Sequence, residues 1–117
     1  MYMFENNTVI PIKCNHIVIT NEVIDFRIIQ IEGLVARCFN VTAQDLKVFY
    51  NDSPAKVLCC FLLHDCLGYS IGSIAARYKI DRLYLRKHIN DQYIKCLTDA
   101  NEMAFIDGFK KEINTHR

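Results

Sequence analysis

Ser70-Ile-Gly-Ser-Ile-Ala-Ala-Arg-Tyr-Lys-Ile-Asp-Arg-Leu-Tyr-Leu-Arg-Lys-His-Ile89 is the stretch from which the architecture of this chain is read. Ser70 can cap a short helix whose Ile71, Ile74, Ala75 and Tyr78 share one face. Lys79-Ile80-Asp81 then breaks it. Asp81 suits the N-cap of a second helix, and Leu85 and Ile89 form its inward stripe at i, i+4. A residue as small as Ala75 lets two helices cross closely, and Ile80 can plug the corner between them. The pattern predicts a helix-turn-helix, with Arg82, Tyr84, Arg86 and Lys87 exposed at the start of the second helix. In that motif this is the part that meets the DNA major groove. Two helices joined by a short turn are also common in all-α proteins. Lys79 stands where many such turns carry glycine.

The 117 residues suffice for one domain with a small appendage, and 51% are apolar, enough for a single packed core. No apolar run approaches the roughly 20 residues needed to span a bilayer, so no membrane partner is expected. The opening Met-Tyr-Met-Phe-Glu lacks the basic flank of a signal peptide. These features point to a cytoplasmic protein. The net charge of +1 is not that of a strong polyanion binder. Its distribution is uneven, however. Between Ser70 and Leu97 six bases (Arg77, Lys79, Arg82, Arg86, Lys87, Lys95) face two acids (Asp81, Asp91). Such a local patch suits salt-sensitive phosphate contact, and equally an ordinary solvated helix face.

Six cysteines occur without a Cys-x-x-Cys pair, and they read as small core hydrophobes of a reducing compartment. Cys60 and His64, four apart, could begin a zinc site, but no second pair completes it. No metal and no cofactor are implied.

Working outward, residues 8–20 are rich in β-branched side chains. They could form a short hairpin turning at Cys14-Asn15-His16. Residues 1–20 are therefore set apart as an N-terminal extension, and 21–117 as a mainly α helical domain. Thr20 or Asn21 is expected to cap a helix running to about Phe39, with Val23, Ile24, Ile28, Ile31, Leu34, Val35 and Cys38 facing inward. Thr42-Ala-Gln-Asp45 has the form of a capping box. Ser53-Pro54 opens a nearly all-apolar helix to about Cys66, expected to be the buried centre, and Gly68 ends it. After the helix-turn-helix, Leu85, Ile89, Tyr93 and Cys96 are expected to face inward. Thr98-Asp99 can cap a last helix, with Met103, Phe105, Ile106, Phe109 and Ile113 as its apolar surface and Gly108 as its weak point.

Two segments together carry a resemblance. Val35-Ala36-Arg-Cys-Phe39-Asn-Val41-Thr-Ala-Gln-Asp45-Leu46 is similar to the opening of the C-terminal DNA-binding domain of the bacterial replication initiator DnaA. Ser70-Ile-Gly-Ser-Ile74-Ala-Ala-Arg-Tyr78 resembles the segment before that family's recognition helix. The resemblance covers roughly residues 28–97 and implies a Trp-repressor-like helix-turn-helix fold with a double-stranded DNA partner. The chain departs from the family where DNA is read. Ile80-Asp81-Arg82-Leu83-Tyr84-Leu85 replaces the family's Arg-Asp-His-Thr-Thr. The basic loop shrinks to Lys47–Lys56, and the ATPase domain is absent. Recognition of the initiator's own DNA box is therefore not expected.

The leading expectation is a double-stranded DNA-binding protein of regulatory type. Arg82 and Arg86, four apart, could each donate to guanine O6 and N7. Tyr84 could reach a phosphate or a thymine methyl. Lys87, Lys56, Arg77 and the Ser70 hydroxyl would hold phosphates. A homodimer, through residues 1–20 or the last helix, would double the contacts. The alternative is an interaction module on the same fold, of the kind carried by phages and mobile elements, using Leu83 and Tyr84 as protein contacts. Enzymatic chemistry is not expected. The acids Asp25, Glu32, Asp45 and Asp65 are scattered, and His64 and Asp65 diverge by about 100° on a helix. His88 reads as a surface histidine.

Overall fold

Pro54–Leu67, labelled α3, is the helix the others enclose. Proline at N1 starts it without losing a hydrogen bond, since the first N–H groups of a helix have no internal acceptor. Gly68, in the left-handed region at φ 77°, ends it, and its N–H returns to the His64 carbonyl. Every residue from Leu58 to Leu63 is buried. With no polar face, such a helix is stable only when covered on all sides.

The computed structural model describes residues 25–115. Among these the chain is mainly α, a bundle of six helices with no strand. The others are α1 (Phe26–Phe39), α2 (Asp45–Val48), α4 (Ile71–Tyr78), α5 (Arg82–Thr98) and α6 (Ala100–Thr115). The expected hairpin lies outside the described residues, as do the caps proposed at Thr20 or Asn21. The described helix begins later, at Phe26. Asp25 caps it by accepting from the Arg27 backbone N–H at 2.9 Å.

Around α3 the core is filled by Ile31 and Val35 of α1, Leu46 of α2, Ile74 and Tyr78 of α4, Leu85 and Ile89 of α5, and Ile106 and Ile113 of α6. The capping box closes reciprocally. The Asp45 carboxylate accepts from the Thr42 N–H at 3.0 Å, and the Thr42 hydroxyl accepts from the Asp45 N–H at 3.2 Å. Two inward expectations need correction: Cys38 and Tyr93 are exposed. Cys96 is half-buried against the core, and on α6 the side chains of Met103 and Phe105 are exposed. The buried stripe of α5 stops at Ile89 because α6 meets its later turns through polar groups. Gln92 donates to Glu102 at 2.6 Å, and Lys95 sits 3.9 Å from the same carboxylate. No helix among the described residues is long and apolar enough to cross a membrane.

Candidate nucleic-acid interface

The site is built on a corner. Ser70 caps α4, its Oγ accepting from the Ser73 N–H at 3.1 Å, and its own hydroxyl proton stays available to donate. Lys79 ends α4 in the left-handed region, φ 57°, without glycine. The Lys79 and Ile80 N–H groups both return to the Ala75 carbonyl. Ile80 is buried in the corner, as its position requires. Asp81 caps α5 by accepting from the Tyr84 N–H at 3.0 Å.

Leu85 and Ile89 point inward, which orients everything else on α5 at about 100° per residue. Leu83 and Lys87 then stand at the outermost line of the helix. Arg82 and Arg86 occupy one flank, and Tyr84 and His88 the other. All the named side chains outside the inward stripe except His88 are exposed, Leu83 at 71%. Arg82 leans back over α4. A Cβ placed on Gly72 would lie 3.5 Å from its Cδ, so the two helix starts are in contact there. The Tyr84 ring meets the His88 ring edge-on at 4.5 Å. Lys87 reaches Asp91 at 3.4 Å, but both ends are exposed, so the pair is weak and the ammonium can move to another anion.

Two of the expected phosphate-binding bases have partners within the domain. Lys56 is 2% exposed, and its ammonium donates to the Phe49 carbonyl at 3.0 Å. Burial holds its pKa below the ordinary lysine value. Its stem runs under the turn between α2 and α3, so the charge serves that turn. Arg77 is likewise engaged. It donates Nε and Nη2 to the two carboxylate oxygens of Glu32, each at 3.1 Å. Burial alone would lower the Arg77 pKa, but the Glu32 carboxylate outweighs it and raises the value. Tyr78 adds a further donation to Glu32, and Cys59 Sγ lies 3.3 Å from the same hydroxyl.

Sequence reasoning left two features out of the site. Lys79 is exposed in the turn, beside the α5 start, and adds a fourth base to Arg82, Arg86 and Lys87. Its position between the two helices was the available signal. His88 is half-buried rather than a surface residue. The signal was the polar stripe His88, Gln92, Lys95 at i, i+4, i+7.

Among the described residues no cluster of His, Cys, Asp and Glu could hold a metal ion. His64 Nδ1 is instead paired with the Tyr69 carbonyl at 2.9 Å. No protein-family model matches this chain, and neither a curated protein nor a solved structure shows significant similarity to it.

Proposed function

We propose that this chain binds double-stranded DNA through a helix-turn-helix made of α4 and α5, in a regulatory role. The observation that carries the reading is the exposed surface of the first two turns of α5. It presents Arg82, Arg86 and Lys87, with Lys79 beside them, on a corner closed by Ile80. None of these four is held by a buried acid, in contrast to Arg77. Arg82 and Arg86 share a flank and can donate to guanine edges, while Lys79 and Lys87 are placed for phosphates. The Ser70 hydroxyl, at the start of α4, can join them. Tyr84 stands on the opposite flank of the helix and suits a backbone contact better than a base. The likeness of residues 28–97 to the DnaA C-terminal domain supports the same reading.

The second reading is a protein-interaction module. It is favoured by Leu83, an apolar side chain at the outermost line of α5, where a purely phosphate-binding surface has no use for it. Fluorescence anisotropy with mixed-sequence duplex DNA, at low and physiological salt, separates the two. The DNA reading expects saturable binding with a steep salt slope, lost in the Arg82→Ala/Arg86→Ala/Lys87→Ala variant. Absence of binding at low salt, or equal binding by both proteins, would overturn it in favour of a protein partner.

A further inference from the structure

Leu83 is an apolar side chain, 71% exposed, set among the exposed bases Lys79, Arg82, Arg86 and Lys87. The corner puts it there. Asp81 caps α5, and Leu85 and Ile89 take the inward stripe, so Leu83 is turned out while Leu85 is buried. Asp81 is the one acid between Lys79 and Lys87, and its carboxylate is committed to the Tyr84 N–H. A partner that covers this corner must therefore offer an apolar group in a field of anions and hydrogen-bond acceptors. The major groove of duplex DNA holds one such group, the thymine 5-methyl, beside the O4 acceptor of the same base. A phosphate chain has none.

Spacing narrows the placement. Leu83 and Arg86 are three residues apart, about 4.5 Å along the helix axis and about 60° around it. Successive base pairs are about 3.4 Å apart. With Arg86 on the O6 and N7 of a guanine, Leu83 reaches the adjoining base pair. Arg82 does not cover it, because its stem leans back over Gly72 of α4.

We propose that Leu83 is a specificity-determining residue, packing on the 5-methyl of a thymine in the base pair next to a guanine held by Arg86. The proposal rests on the DNA-binding reading given above and adds to it a requirement for T·A at one position. Lys79 and Lys87 hold phosphates whatever the sequence, so they contribute affinity without that choice.

Selection of duplexes from a random-sequence library by the full chain, followed by anisotropy titration of the enriched duplex, tests this. The enriched site is expected to carry thymine beside guanine. Replacing that thymine by deoxyuridine, which lacks only the methyl, should weaken binding about fourfold, the effect of burying one such group. Leu83→Ala, a change at an exposed helical position, should keep the wild-type Tm and bind the thymine and uracil duplexes alike. Equal wild-type affinity for the two duplexes, or a discrimination that Leu83→Ala retains, would overturn the proposal and leave the DNA-binding reading standing. Binding without enrichment of any sequence would do the same, since it is phosphate contact alone. No binding to any duplex at low salt would overturn both and leave Leu83 to a protein partner.

Discussion

Arg77 and Glu32 form a two-bond ion pair that locks the last turn of α4 to the middle of α1. The Glu32 side chain is 5% exposed and that of Arg77 20%. With the Tyr78 hydroxyl also donating, one carboxylate receives three bonds from two consecutive residues of α4. The turn that orients α5 begins at the next residue. The pair therefore sets where the exposed bases of α5 stand relative to the core.

Removing Arg77 should leave Glu32 buried without its countercharge. Arg77→Ala is expected to destabilise the fold by about 3 kcal/mol, the lower end for a broken buried pair because Arg77 is partly solvated. Glu32→Leu/Arg77→Met should recover much of that loss, since it removes both charges and keeps the volume. Urea unfolding of the three proteins checks this. A midpoint for Arg77→Ala equal to that of the wild type would show the guanidinium to be free after all, and available to phosphate.

Asp25 makes stability sensitive to acid. The side-chain hydrogen bond from Arg27 is the main reason its carboxyl falls from the ordinary 3.8 to about 2, and the Tyr69 hydroxyl, which donates to it, adds to the effect. A carboxyl depressed in the folded state contributes stability that is complete above its unfolded pKa and fades as pH falls through the folded one. The contribution of Asp25 should thus be lost between about pH 4 and pH 2. Asp25→Asn keeps a good N-cap but cannot titrate. Its Tm should fall less steeply across that window than the wild type's; parallel curves would exclude the role.

The boundaries that the sequence shows best are local ones. Proline at the first turn of α3, Gly68 after it, and the Thr42–Asp45 box each act within four residues, so their pattern alone reveals them. The start of α1 was misplaced because Val23 and Ile24 extend the apolar periodicity past Asp25, and periodicity does not say which polar residue caps. The partners of Lys56 and Arg77 are hidden from the sequence for a different reason. Both are bases, but their acceptors, Phe49 and Glu32, lie 7 and 45 residues away. Only the packing of α2 and α1 against their neighbours brings those acceptors in. The half-burial of His88 is hidden in the same way, because Phe39 and Phe105, which line one cavity with it, come from opposite ends of the domain.

Lys79 holds a left-handed conformation that favours glycine. A Cβ in that region is unfavourable by about 1 kcal/mol, partly offset by the extra freedom glycine has when unfolded. Lys79→Gly should therefore raise stability by less than about 1 kcal/mol. Because it also removes a base from the proposed interface, it should weaken DNA binding while the Tm rises. A Tm that falls would mean that the Lys79 side chain stabilises the corner, and that its backbone strain is small.

Lys87 and Lys56 make opposite predictions from the same residue type. Lys87 is exposed and loosely paired, so a phosphate can take it from Asp91 and release a counterion on binding. Lys87→Ala should lower affinity for all duplex sequences alike and reduce the log–log salt slope by about 1. Lys56 is buried with its ammonium on the Phe49 carbonyl. Lys56→Met, which keeps the stem and removes the charge, should leave the salt slope unchanged. Anisotropy titrations at four or more salt concentrations read both slopes. A reduced slope for Lys56→Met would mean that the lysine leaves its carbonyl when DNA binds and that the turn between α2 and α3 opens. An unchanged slope for Lys87→Ala would place the phosphate contacts elsewhere on the domain.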